Sequence, residues 1–447
     1  MNGRTQRPEL HPELCSTCRV CLDGCPSRVF ADLSLETDSV RGQLASHKRV
    51  QVNPERPACR QACPINQDIP EYLSRIAAGD PAGALASILQ HNPFPAVLGY
   101  VCHHPCERAC VSSAIQRAPA IRELKRFAAM ATRPDIRKHP GPPKGKVAVI
   151  GAGPAGLATA WALSRAGVQV MVYESSPTPG GLLTWAIPSF RLPRKAVQED
   201  ISYILQHGIE LNLNSHIPPV ELVSLQLRHD AVVLACGAPK SKQLEIPGSD
   251  LPGVWLGLDF LREMAFGPTP EIVPPVAVIG GGNVATDAAR WAIRLASPVS
   301  LIYRRDRGDM PAYQEEIAAL EAEGIEFLFR SEPSAFVGDV RSGLRQIRIQ
   351  ETSPGNVGKD GRRIFTALPE TKRRMPVRTA ILALGQERSF DKWAEVLGGM
   401  GSDLNASDPI AKCVYTTGDM AMGPATVVEA VASGIGCADR ILREIFA

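Results

Sequence analysis

The chain has 447 residues, of which 44% are hydrophobic and 21% charged, with a formal net charge of +3. Those values exclude a disordered, collagen-like or coiled-coil chain, and so even a charge balance gives no case for nucleic acid or an anionic membrane as the main partner. No apolar run approaches the ~20 residues that span a bilayer, and the opening MNGRTQRPELHPEL lacks the apolar stretch of a secretory signal. The expectation is a cytoplasmic protein of about three domains, in a reducing setting where cysteines bind metal or react more often than they form bridges.

Nine of the 12 cysteines fall in the first 110 residues. Cys15-x2-Cys18-x2-Cys21-x3-Cys25, followed by Pro26, has the spacing of bacterial ferredoxins, in which three thiolates on one short loop hold three irons of a cube. Four-cysteine zinc sites also use C-x2-C pairs, but four cysteines so tightly packed before a proline favour iron–sulfur. Cys59-x3-Cys63 and Cys102-x3-Cys106-x3-Cys110 follow. His103 and His104 lie among them and read as hydrogen-bonding neighbours rather than iron ligands. HPGPPKGK, residues 139 to 146, cannot continue a helix and marks a seam.

Beyond the seam, strand and helix alternate with glycine-rich turns, the pattern of an α/β fold. Val147 to Ile150 is an apolar run that leads into Gly151, Gly153 and Gly156, with Pro154 and Ala155 opening a helix. In such a turn the glycines allow the bend, the approach of a pyrophosphate and close helix–strand packing. A second apolar run, Val168 to Tyr173, ends in Glu174, placed to accept hydrogen bonds from a ribose diol. EIVPP, residues 271 to 275, is a second seam. After it Gly280, Gly282, Asn283, Val284 and Ala285 repeat the turn, and the following strand, Val299 to Tyr303, ends in Arg304 and Arg305 instead of an acid. Guanidinium groups suit a 2′-phosphate, so this second site leans towards NADP; a solvated arginine pair is the plainer reading. The charged stretch from Lys359 to Arg378 reads as surface hairpin and loop. Thr426 and Glu429 have the spacing of a capping box that opens the last helix.

The segments CRQACPINQDIPEYL, NPFPAVLGYVCHHPCERAC, GAGPAGLATA, GGLLTWAIPSFRLPR, GGGNVATDAAR, YRRDRGDMPA, LALGQ and TTGDMAMGPATVVEAVASG carry a specific resemblance over residues 55 to 447. The chain resembles the small (beta) subunit of bacterial glutamate synthase and the wider family of NAD(P)H-dependent iron–sulfur flavoproteins. The resemblance implies an α/β fold of two Rossmann-like domains preceded by a helical iron–sulfur domain. The implied division is a ferredoxin-like cysteine arm at 1–50, the cluster domain at 51–140, an FAD domain at 141–270 and 386–447, and an NAD(P)H domain at 271–385. Its implied cofactors are FAD, NAD(P)H and two 4Fe–4S clusters. Gly180, Gly181, Leu182 and the segment up to Arg191 would run beside the flavin, and the Gly418–Asp419 pair would meet its ribityl–phosphate region. The first turn of the last helix, near Val427 and Val428, would face the flavin pyrimidine edge and stabilise negative charge there.

The same resemblance assigns Cys63, Cys102 and Cys106 to one cluster and Cys59 and Cys110 to the other. Two departures stand out. Family members carry a C-x2-C pair just before the position of Cys59, where this chain has NPERPA, and some use a Glu or Gln ligand where this chain has Lys125. The expectation is that Cys110 completes a cluster with Cys63, Cys102 and Cys106, that the arm supplies the second cluster, and that Cys59 is shared or outside the ligand set. The implied chemistry is hydride exchange with a nicotinamide and single-electron exchange with clusters, which needs positioning rather than a catalytic acid or base. Cys236 stands alone in its strand, which argues against dithiol chemistry. The implied partners are other iron–sulfur or catalytic subunits: those of a glutamate synthase, of a 2-oxoacid-oxidising complex or of a transhydrogenase. A zinc-bound, non-catalytic scaffold is the alternative from another class.

Overall fold

The computed structural model describes residues 57–111, 118–136, 141–358, 363–388, 390–396 and 413–446. The four arm cysteines, Cys15, Cys18, Cys21 and Cys25, lie outside the described residues.

The first described unit is helical, with helices at Ala58–Gln61, Ile69–Ala77, Pro81–Ile88, Pro95–Val101, Pro105–Arg108 and Ile121–Ala129. Proline stands in the opening turn of four of them, where its missing N–H would have had no partner anyway. The Asp68 and Asp80 carboxylates accept from the backbone N–H groups of Glu71 and Gly83, at 3.3 and 2.8 Å, and so start two of these helices sharply.

Two parallel five-stranded sheets follow. The first runs Val414–Thr416, Ala231–Leu234, Lys146–Ile150, Gln169–Tyr173, Glu210–Asn212 across the sheet. The second runs Val254–Leu256, Thr379–Leu382, Val276–Ile279, Val299–Tyr303, Glu326–Phe329. Strands such as Val276–Ile279 are buried along their whole length, which is why they read as unbroken apolar runs rather than alternating ones. The chain crosses between the sheets at Lys240–Ser241 and back at Gln386–Glu387, and these two crossings pair antiparallel. The second sheet therefore takes a strand from upstream of residue 271. Val254–Leu256 is only three residues long, too short an apolar run to register in sequence, yet it pairs with Ala380 to Leu382. The charged stretch before Arg378 supplies Arg363–Pro376, the outer strand of a three-stranded antiparallel sheet with Ser331–Asp339 and Gly343–Val357.

The helical unit is not an appendage. Phe94, Val97, Leu98 and Val101 share one buried core with Val147, Val149, Leu157 and Val431 of the first dinucleotide unit. Among the described residues no helix is long and apolar enough to cross a membrane.

Candidate functional site

The first glycine turn is built by close approach. A Cβ on Gly151 would stand 2.4 Å from the Ala235 carbonyl oxygen, and one on Gly156 would stand 2.0 Å from the carbonyl of Gly151 itself. Gly153 is the opposite case: open space surrounds its missing side chain, and the helix Pro154–Arg165 begins beside it, with Ala155 in its first turn. That is a cradle with room for a pyrophosphate under free N–H groups. Glu174 ends the adjacent strand and is buried; its carboxylate accepts from the N–H groups of Ala152 and Ser176, both at 2.8 Å, which fixes it over the turn. The Gly180–Gly181 loop closes from the other side, with a Gly181 Cβ position 3.1 Å from the Gly153 Cα.

The C-terminal segment returns to this turn. The Gly418 N–H donates to Ser433 Oγ at 2.9 Å. Burial pushes the Asp419 carboxyl up to about 6, against a hydrogen bond from the Ala425 N–H. Thr426 caps the helix Val427–Ile445 in a full capping box: its hydroxyl accepts from the Glu429 N–H, while the Glu429 carboxylate accepts from the Thr426 N–H at 2.8 Å.

The second glycine turn opens onto a cavity of about 1070 Å³. Gly280, Gly282, Asn283 and Val284 line it; Ala285 is fully buried beneath, holding the helix Asn283–Leu295 against the turn. Arg304, Arg305 and Lys372 line it too, and so do Leu182, Arg191, Asp419, Thr426 and Val427 from the first dinucleotide unit. Both units thus face one space. Arg191 is held there by ion pairs to Asp287 and Glu316 across the unit boundary, both at 2.7 Å. Burial pushes the Asp287 carboxyl up while the Arg191 guanidinium pulls it down.

A small enclosed cavity lies in the helical unit. Cys63, Cys102 and Cys106 line it, with Tyr72, Lys125 and Val428. Among the described residues no three His, Cys, Asp or Glu side chains converge on a single ion's position; the three thiols surround a space instead. Burial raises the Cys63 thiol and pushes the Cys106 thiol up to about 12, and the Lys125 charge opposes both. The backbone N–H groups of Gln67 and Ile65 also favour the Cys63 thiolate, and the His104 N–H donates to Cys102 Sγ at 3.4 Å. Thiols aimed into one cavity, met by N–H donors and a cation, are a donor set suited to an iron–sulfur cluster. Lys125 is among the residues that line this cavity, and Cys59 and Cys110 are not.

Cys236 is partly buried in the first unit, with burial pushing its thiol up to about 12, and all described cysteines are free thiols. Sequence reasoning did not find Tyr313, which lines the large cavity and stacks on His103 at 5.7 Å, nor Lys372, which lay hidden in a strand of mixed charges. No local pattern marks either one.

Two dinucleotide turns of this geometry, in units that share one cavity beside a thiol-lined one, define an oxidoreductase that handles a flavin and a pyridine nucleotide. Residues 145–434 match the pyridine nucleotide-disulphide oxidoreductase family, and residues 39–135 match dihydropyrimidine dehydrogenase domain II, 4Fe-4S cluster. The chain is 32% identical over 415 residues to the glutamate synthase (NADPH) small chain of Halomonas elongata, covering 86% of this chain and 87% of that one. It is 36% identical over 426 residues to the NADP(+)-dependent formate dehydrogenase subunit beta of Moorella thermoacetica, covering 86% of this chain but 60% of that one. It spans only 38% of YgfK, a relative from Escherichia coli (strain K12). In fold it is similar to FprA from Mycobacterium tuberculosis, with a TM-score of 0.59 at 19% identity over 68% of this chain and 84% of that one. The chain belongs to the pyridine nucleotide-disulphide oxidoreductase family, in its glutamate synthase small-chain-like branch, with an FAD- and NAD(P)-binding fold behind a 4Fe–4S ferredoxin-type domain.

Proposed function

We propose that this chain is the NADP(H)-handling electron-transfer subunit of a larger cytoplasmic oxidoreductase. The observation that carries the reading is a shared wall. Val427 lines the large cavity and Val428, the next residue, lines the thiol cavity. One helix turn separates the two. When bound, FAD would supply the conversion between hydride and single electrons, and the clusters would supply the one-electron steps.

The chain's own residues then have these roles. Gly151, Gly153, Pro154, Ala155 and Gly156 cradle the FAD pyrophosphate, Glu174 accepts from the adenosine ribose, and Gly181 and Leu182 border the flavin. Asp419 and the N-terminus of the Val427–Ile445 helix orient the flavin's polar end. Arg191 braces the flavin-side loop against Asp287 of the second unit. Arg304, Arg305 and Lys372 give the cavity a cationic end suited to a 2′-phosphate. Cys63, Cys102 and Cys106 hold the flavin-side cluster, and the arm cysteines hold a second one.

Three similar proteins are named for NADP or NADPH: the formate dehydrogenase subunit beta, the glutamate synthase small chain, and the NADPH-Fe(3+) oxidoreductase subunit beta of Geobacter sulfurreducens. Being subunits or small chains, they support a partner subunit for this chain. Its near-complete match to the glutamate synthase small chain favours a second reading, in which that partner is a glutamate synthase large subunit. Anaerobic purification tests the proposal: the protein is coloured and its visible absorbance bleaches with NADPH. A colourless protein that ignores NADPH overturns it in favour of a scaffold, and subunits that co-purify stoichiometrically distinguish the two partners.

A further inference from the structure

Lys125 sits in the helix Ile121–Ala129, and only 8% of its surface is exposed. Lysine is almost never buried so far unless its charge is balanced. The carboxylates nearby are engaged elsewhere: Glu123 pairs with Arg122 and Arg126, and Glu107 with His104. Among the described residues no carboxylate forms an ion pair with the Lys125 ammonium. It lines the same cavity as Cys63, Cys102 and Cys106 instead. A buried cation in that position is balanced only when the cavity it lines carries negative charge, as thiolates on an iron–sulfur core do.

We infer that the cavity takes a cluster bound by three thiolates, Cys63, Cys102 and Cys106, with the Lys125 ammonium facing the remaining corner in place of a fourth ligand. The inference rests on the iron–sulfur reading above and goes beyond it in the ligand count. An ammonium has three donors and no lone pair, so it cannot bind iron. Cys59 and Cys110 are not among the residues that line the cavity. The fourth iron is therefore held by cluster sulfides and a solvent-derived ligand alone. Two consequences follow. That iron is the one lost on oxidation, and the adjacent cation favours the more negative, reduced state of the cluster, which raises its midpoint potential.

The test uses the full-length protein, purified anaerobically and titrated with ferricyanide. The four-iron core in its 2+ state gives one electron to ferricyanide and releases one Fe2+, leaving a three-iron core at 1+, which is visible by EPR. The expected result is a three-iron signal that grows with the released iron and is absent from Cys63→Ser. Lys125→Cys, which offers a fourth thiolate, suppresses the signal. Lys125→Met keeps the signal but moves the midpoint to a more negative value, a readout that a purely structural lysine would leave unmoved. A wild-type cluster that keeps all its iron, or one that releases it only after Cys110→Ser or Cys59→Ser, overturns the inference, because a cysteine is then the fourth ligand. If Cys63→Ser retains the wild-type iron, sulfide and EPR spectrum, the cavity holds no cluster, and the functional reading fails along with the ligand count.

Discussion

Replacing Gly434 with alanine should loosen the flavin site from a distance. Gly434 lies in the helix Val427–Ile445 where it crosses the helix Pro154–Arg165 that starts at the first glycine turn. A methyl group there would stand 2.2 Å from the Ala155 carbonyl oxygen and 3.0 Å from the Ala158 Cβ. Ordinary contact begins at 3.4 Å, so the helices must part by the difference, 3.4 − 2.2, about 1.2 Å. Parting also stretches a buried hydrogen bond, since the Thr159 hydroxyl lies 2.9 Å from both the Ala155 and the Gly434 carbonyls. Forcing a methyl into so close a crossing costs about 1–3 kcal/mol, and the weakened hydrogen bond about 1. Alanine returns about 1 kcal/mol over glycine through helix propensity. The net expectation is a loss of about 1–3 kcal/mol, read as a lower urea midpoint. Because Ala155 belongs to the proposed phosphate cradle, flavin should also dissociate faster during gel filtration. A Gly434→Ala protein that is as stable as wild type and keeps its full flavin content would refute the reasoning, because helix propensity would then outweigh the crossing.

Three further expectations concern the two cavities and the seam between them. The double substitution Arg304→Ala with Arg305→Ala should raise the KM for NADPH by about tenfold or more and leave that for NADH nearly unchanged, as the loss of charge-assisted hydrogen bonds requires; an equal loss with both nucleotides would remove the 2′-phosphate role. The His104 imidazole and then the Arg122 guanidinium hold the Glu315 carboxyl down at about 2. For a lowered acid the stabilisation is present above its ordinary value of 4.5 and is lost as pH falls through about 2. Wild type should therefore exceed Glu315→Gln in stability by about 1–2 kcal/mol near neutral pH, after discounting for partial exposure, with the gap closing below about pH 4; a gap that persists unchanged in acid would contradict it. Thr426→Val removes the acceptor for the Glu429 N–H and should cost about 1 kcal/mol in denaturant titration, whereas an unchanged midpoint would show that the cap is dispensable.

The glycine turns were legible because their geometry is local: strand, bend and helix lie within about a dozen residues and each leaves its own pattern. The capping box was legible for the same reason. What escaped was set by residues far apart in the chain. Gly434 looks like a stray helix breaker until its carbonyl meets Thr159, 275 residues away. The run Cys102, Cys106, Cys110 looks like one ligand set. The short helix Pro105–Arg108 carries Cys106 on the cavity wall and ends before Cys110, which does not line it. Arg191 could be placed near the flavin by resemblance, but its ion-pair partner belongs to the other dinucleotide unit, which only the folded chain brings within reach.

The helical unit is fastened to both dinucleotide units, and the fasteners bracket the thiol cavity. On one side Asp200, fully buried in the first unit, accepts from the N–H groups of Ala96 and Val97 at 3.3 and 2.8 Å and pairs with Arg133. Burial pushes that carboxyl up to about 6, against the pull of Arg133 and the Val97 N–H. It sits at the start of the helix Pro95–Val101, whose next residue is Cys102, so a carboxylate of the first unit sets where a thiol stands. On the other side His103 stacks on Tyr313, and Arg122 donates to the Glu315 carboxylate at 2.9 Å. Both of these contacts leave the segments that carry Cys102 and Lys125 and end on the wall of the nucleotide unit. Electron exchange falls off steeply with separation, so the proposed transfer across Val427 and Val428 needs that gap held constant while nucleotides come and go. Fasteners on both sides make the gap a property of the fold rather than of a docking event.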